Sequence, residues 1–322
     1  MSTATLQRPS TPVWLHRWAV GTVVATFVVL ALGSIVTTFR VGMADPIWPT
    51  APWHLLFISW EEPQPGYLIE HGHRLAAYVA GLCLIVAAVG LWYAGPSRLR
   101  RLSLLALGAI IIQGLLGGYR VRLHAWLGTD LAFLHGCFAQ VVLGLVISLA
   151  VVTVPGSPWA QATEWGAATT RCQPLRRWVV WAVVLIFGQI VVGAWVRHTG
   201  SAFGQRVHLW LAFAVVLVAG ELLRQVWRDP TRDRPLRLGA ILLTVVIGGQ
   251  IILGVETWLM RHSAGWLLEL RPMTVGQAVV RTAHVLGGSA ALALAVALAW
   301  RAYGPVPGPA ASAPGTAEEG AA

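Results

Sequence analysis

Eight stretches of this 322-residue chain are each long and apolar enough to cross a lipid bilayer, and that feature decides the fold class. A spanning helix needs about 20 predominantly apolar residues. The stretches run over 18–39, 74–94, 102–118, 131–154, 178–196, 207–227, 238–258 and 279–300, the third being the shortest. Only 11% of the residues are charged and 56% are hydrophobic. A soluble domain carries about 25% charged residues, so lipid rather than water must cover this chain. The first stretch is too long for a removable signal peptide and lacks a small-residue cleavage site.

The net charge is +10, and every basic residue is arginine. In a membrane chain such arginines orient helices, which removes the nucleic-acid reading. With the N-terminus inside, the cytoplasmic segments hold 14 arginines and the opposite face nine. The positive-inside rule then predicts both termini cytoplasmic in a cell membrane. Cys83 and Cys137 fall in spans and Cys172 in a cytoplasmic loop, so no disulfide is expected on the oxidising face.

The chain reads as two halves with one plan. Span 1 leaves through "GSIVTTFRVGMADPIWP" from Gly33, and span 5 through "GAWVRHTGSAFG" from Gly193. Span 3 ends in "QGLLGGYRVR" from Gln113, and span 7 in "QIILGVETWLMR" from Gln250. The expected fold is an all-α integral membrane protein, with eight transmembrane helices forming two pseudo-symmetric four-helix bundles. Its parts are a cytoplasmic segment 1–17, halves 18–154 and 178–301, a linker 155–177 and a disordered tail 302–322. The halves start on the same face, so they are parallel repeats. The outer loop 40–69 carries five prolines and Trp48, Trp53 and Trp60, which suit a stiff interfacial segment.

Nine of the ten histidines fall at or near the outer face; only His16 does not. His73, His135, His208 and His284 recur near the outer ends of spans 2, 4, 6 and 8, about one turn inside or less. Ionisable groups in a membrane are costly and usually functional, and neutral imidazole ligates iron, zinc and copper. No carboxylate or cysteine cluster completes a tetrahedral site. Small residues (Ala76, Ala77, Ala80 and Gly81 after His73; Gly287, Gly288 and Ala291 after His284) leave a flat slot on the same face. Two histidines per bundle facing a flat ligand point to heme, with Arg74, Arg206 and Arg281 placed for its propionates. His54, His71, His124, His198 and His262 read as solvated interfacial residues. Glu70 sits three residues before His73. It is either a helix-start charge or an acid or base beside a heme edge, able to stay hydrated without an ion-pair partner. Glu61 and Glu62 read as loop charges. Gly117-Gly118 with Gln113, and Gly248-Gly249 with Gln250, read as equivalent packing positions.

Glu70-His71-Gly72-His73-Arg74 matches the E-x-x-H-R motif of the heme A synthase family, which the chain resembles over roughly residues 18–300. His135, His208 and His284 match the family's histidines on helices four, six and eight. "GMADPIWP", "QGLLGG", "GAWVRHTG" and "RTAHVLGG" are similar to family segments. The resemblance implies oxidation of the C8 methyl group of heme O to a formyl group, giving heme A for terminal oxidases. It implies that His73 and His135 hold the substrate heme, that Glu70 is needed for oxidation, and that His208 and His284 ligate a heme b. It also implies an electron donor and a heme O synthase as partners, with a homo-oligomer left open. One departure is plain: many bacterial members carry a cysteine pair in the first outer loop, and 40–69 has none.

Two rival readings are a diheme b-type cytochrome taking electrons from quinol, and a transporter. The first needs the same histidines without substrate exchange. The second is disfavoured, since no span is interrupted by charge at its middle.

Overall fold

The computed structural model describes residues 11–45, 47, 64–157, 159, 173–228, 234–262 and 273–304. Eight long apolar helices cross the bilayer: α1 (Val13–Thr38), α2 (Pro65–Ala94), α3 (Ser97–Arg122), α4 (Asp130–Val152), α5 (Gln173–Thr199), α6 (Ala202–Trp227), α7 (Arg234–His262) and α8 (Val275–Tyr303). The protein is therefore an all-α, multi-pass membrane protein. Helices suit lipid because each satisfies its own backbone polar groups. The shortest is α4, with 23 residues, or about 34 Å at 1.5 Å per residue, enough for a core of about 30 Å. The third helix is not the shortest, as its apolar stretch suggests, but has 26 residues. Its first five residues include Arg98, Arg100 and Arg101, which an apolar window excludes although such side chains are tolerated at span ends. His54, Glu61, Glu62, Cys172, most of the 40–69 loop, most of the 155–177 linker and the tail beyond 304 lie outside the described residues.

Helix starts follow local chemistry. Pro65 opens α2, where a missing N–H costs nothing. Ser201 caps α6 by accepting from the Gly204 N–H at 3.0 Å. Thr274 and Gln277 form a reciprocal capping box on α8. The end of α1 matters for the site. Val41 N–H bonds back to Val36 O and Arg40 N–H to Thr37 O, with Arg40 at φ 57°. That Schellman turn folds the chain back so that residues 42–45 lie over α2.

Within the first half α1 packs on α2, α2 on α3, α3 on α4, and α4 returns to α1. Within the second, α5 packs on α6, α6 on α7, α7 on α8, and α8 returns to α5. The halves meet where α4 and α1 touch α8 and where α4 touches α5. Arg197 of α5 also donates to Ser34 O at 2.8 Å and to Thr38 Oγ1 at 2.8 Å on α1.

Along their length the helices divide into two floors. One is solid: Leu84, Leu91, Leu99, Ala106, Val146 and Leu149 in the first half, and Leu175, Val179, Leu222, Leu236, Ala295 and Leu298 in the second. It lies at the end where α1 begins and α8 finishes. The other floor is hollow, and all four repeated histidines stand in it. The outward faces carry Trp210, Leu217, Val245 and Ile252, each more than 60% exposed and apolar, as lipid contact requires.

Candidate functional site

The four histidines occupy equivalent settings. Each comes from an even-numbered helix and lies against a glycine of the odd-numbered helix before it. A β-carbon built on Gly33 would stand 2.9 Å from His73 Cε1, on Gly117 3.0 Å from His135, on Gly193 2.9 Å from His208, and on Gly254 3.3 Å from His284. The helices start earlier than the apolar stretches, so the rings sit deeper than one turn. His135 and His208 lie five and six residues past the first residue of their helices, His73 and His284 eight and nine. Interruptions early in the helices, such as Pro65, Gly66 and the run Glu70–His73 in α2, hid this in the sequence.

All four rings line one cavity of about 2710 Å³, with Glu70, Arg74, Arg120, Arg197, Arg206 and Arg281. Pockets for drug-sized ligands hold about 300–1,000 Å³, so this one has room for more than one such body. His208 and His284 face each other with ring centroids 6.4 Å apart. Two metal–nitrogen bonds of about 2 Å each, plus the rings' own radius, add up to a separation of about 6 Å. The Nδ1 atoms of both are buried without a hydrogen-bond partner. His73 and His135 lie within electrostatic reach of each other. Among the described residues no group of three or more His, Cys, Asp or Glu gathers for a bare metal ion. The donor set is thus imidazole in pairs beside a large, mostly apolar space, which fits a metal carried in a flat macrocycle.

Glu70 is not hydrated and unpaired as its place at the boundary suggests. It is 3% exposed. Its Oε1 accepts from Arg74 Nη2 at 2.8 Å and its Oε2 from the Asp45 backbone N–H at 2.8 Å. Arg74 Nη1 pairs with Asp45 Oδ2 at 2.8 Å, and Nη2 also donates to Asp45 O at 2.6 Å. Buried charges need this: an isolated one is far more costly than a paired and hydrogen-bonded one. Arg74 lines the cavity with its guanidinium already spanning two carboxylates. Arg206 is exposed and Arg281 half-buried at the cavity wall.

Several other readings change. His71 is buried, stacked on Tyr67 with centroids 5.4 Å apart, and 3.6 Å from Asp45 Oδ2. His198 lines the cavity and meets Phe133 of α4 edge-on. His124 is exposed, as expected, and the His262 side chain lies outside the described residues. Of the small residues, Ala77, Ala80, Gly81, Gly288 and Ala291 line the cavity, but Gly287 is covered by the Gln250 side chain. The glycine equivalent to Gly117 is Gly254, not Gly248 or Gly249, which face open space.

Sequence reasoning passed over Asp45, Arg120, Arg197 and Gln189. Arg120 donates to Gly42 O at 2.8 Å, and its guanidinium lies where a β-carbon on Gly42 would be. Gln189 Nε2 donates to His208 O at 3.0 Å, as Gln113 Nε2 does to His135 O at 3.0 Å. The legible signal was the recurring Gln-x-x-x-Gly of residues 113–117, 189–193 and 250–254.

Residues 50–205 match the family model COX15-CtaA, cytochrome oxidase assembly protein. A heme A synthase of Shouchella clausii (strain KSM-K16) is 27% identical over 192 residues. Over just under half of its length the chain is similar to this family, and more widely to that synthase. That match covers 58% of the chain and 60% of the synthase. The family-model match takes in Glu70, His73, Arg74 and His135 and stops just short of His208. Protoheme IX farnesyltransferases of two Halobacterium salinarum strains, ATCC 700922 / JCM 11081 / NRC-1 and ATCC 29341 / DSM 671 / R1, are 26% identical over 176 residues. These cover 49% of the chain and 38% and 37% of the farnesyltransferases. The chain thus spans less than two thirds of the length of each relative it matches.

Proposed function

We propose that the chain is a heme A synthase, oxidising the C8 methyl group of heme O to the formyl group of heme A. The observation that carries this is two histidine pairs opening into one cavity, with a buried carboxylate beside one of them. In this reading the half 18–154 takes the substrate heme between His73 and His135. The half 178–301 holds a heme b between His208 and His284. Arg206 and Arg281 meet propionates, and Arg74 stands at the substrate's edge while holding Glu70. Oxidation of an unactivated methyl group needs the redox chemistry that heme iron supplies. The protein's part is to position the macrocycle, keep bulk water away and handle protons. Glu70, one turn from His73, serves the last of these.

The membrane is the cell membrane, both termini are cytoplasmic, and the cavity opens at the outer end. A heme O synthase delivers substrate, an oxidant of the dioxygen class takes the methyl group to the formyl level, and a separate donor supplies the electrons that this oxidant consumes. A C-terminal reporter active only outside the cytoplasm would reverse this orientation. The relatives' names are those of enzymes that make or modify heme, which supports a synthase over a diheme electron carrier. The test is expression in a host that makes heme O, then chromatography of the extracted hemes. Heme A appearing only with the chain is the expected result; heme b alone would sink the proposal in favour of the carrier.

A further inference from the structure

We propose that Gly33, Gly117, Gly193 and Gly254 are seats that set the orientation of the four histidine rings, and with it which ring nitrogen faces the cavity. The inference rests on reading those histidines as heme ligands. Its basis is a repeat within the odd-numbered helices. Four residues before each glycine stands a residue whose backbone faces the ring: Val29, Gln113, Gln189 and Gln250. A spacing of four puts that carbonyl and the glycine on one face of the helix, a turn apart.

The case is clearest at His73. Its Nδ1 lies 3.1 Å from Val29 O. A carbonyl oxygen only accepts, so Nδ1 carries the proton and Nε2 keeps its lone pair. A ring fixed in this way presents Nε2 as the ligand nitrogen. At His208 and His284 the same backbone contact falls short of full hydrogen-bond geometry, and no other polar group competes for the buried Nδ1. At His135 the Gln113 amide also lies beside the ring, with Nε2 3.2 Å from Nδ1 and 3.3 Å from Nε2.

The glycine makes the contact possible. In every case the ring atom nearest a built β-carbon is Cε1, between the two nitrogens. An added methyl group therefore pushes the ring itself rather than a backbone. The distances rank the effect: 2.9 Å at Gly33 and Gly193 requires movement, 3.0 Å at Gly117 nearly so, and 3.3 Å at Gly254 only a slight yielding. Alanine is also the better helix former, so these variants should fold.

The second half offers the test, because its heme stays bound in this reading. Full-length protein carrying Gly193→Ala, Gly254→Ala, Gly249→Ala or His208→Ala is purified. The ferric electron paramagnetic resonance signal and midpoint potential of the bound heme are then recorded, with heme content and thermal midpoint. Gly193→Ala should shift both signals, or lose heme from a folded protein, and Gly254→Ala should shift them less. Gly249→Ala, with nothing within 4 Å of its β-carbon, should match wild type. His208→Ala should lose the heme. Wild-type signals in both seat variants would overturn the seats and leave the ligands standing, as would a Gly249→Ala shift equal to that of Gly254→Ala. A wild-type spectrum in His208→Ala would overturn the ligand reading and the seats with it.

Discussion

The two halves set their histidines in one frame, each ring against a glycine of the preceding helix, and differ in what surrounds it. Three residues before His73 stands Glu70, and one residue after it Arg74; around His208 the same positions hold Gln205 and Leu209. Among the described residues, Glu70 is the only carboxylate lining the cavity. Asp45 reaches it because the Schellman turn after α1 carries the chain back over α2. In the second half the corresponding exit of α5 turns at once through Gly200 into α6, leaving no segment to supply an acid. Under the proposed function, a duplicated frame with one added carboxylate cluster would let one half react while the other only holds. This asymmetry comes from a loop and a single side chain, and the packed floor beneath is alike in both.

The largest expected effect breaks the comparison at its ligands. His208→Ala and His284→Ala should each deplete tightly bound heme b almost completely. His73→Ala and His135→Ala should leave that heme in place and abolish heme A formation. The reduced spectrum of purified protein, read beside extracted hemes, separates the halves. An unchanged b-type signal in both second-half variants would remove His208 and His284 as ligands.

The next effect concerns the carboxylate. Glu70→Gln keeps the shape and removes the charge. If Glu70 moves protons during oxidation, heme A yield should fall by about 100-fold or more, the usual scale of acid–base assistance. Heme O or a hydroxylated intermediate should accumulate while heme b stays bound. Gln205→Glu, the mirror change, should leave the yield as it was. Wild-type heme A from a normally expressed Glu70→Gln protein would confine Glu70 to structure.

Much of this was legible in the sequence, and the exceptions share a cause. Eight spans follow from apolar runs, because lipid imposes a length on each helix. The four histidines stood out because imidazole within a membrane is rare. The helices begin earlier than the apolar runs, since 65–73 and 275–278 are helical although proline, glycine and polar residues interrupt them. Asp45 was passed over because it is in a loop, 25 residues from Glu70, and only the fold joins them. Arg197 reads as one more boundary cation until α1 is seen against it. The glycine register failed for a subtler reason. Gly248-Gly249 resembles Gly117-Gly118 as a string, but helical geometry ranks Gly254, four residues past Gln250, as the match.

The smallest effect tests whether the paired glutamines differ as the halves do. Gln189 and Gln113 occupy the same place, four residues before a seat glycine, and each donates to a histidine carbonyl across the helix pair. Gln113 does one thing more, since its Nε2 also lies against both nitrogens of the His135 ring. Leucine at either position keeps the bulk and removes the bond. One interhelical hydrogen bond inside a membrane contributes on average about 0.6 kcal/mol, so both variants should show small, similar drops in thermal midpoint in detergent. They should part on function. Gln189→Leu should keep heme b and heme A yield, because the His208 ring loses nothing it touched. Gln113→Leu frees the His135 ring and should weaken substrate heme binding, read as a lower heme A yield that recovers when heme O supply is raised. If Gln189→Leu lowers the yield as much as Gln113→Leu does, the two glutamines act alike and the halves differ only at the carboxylate cluster.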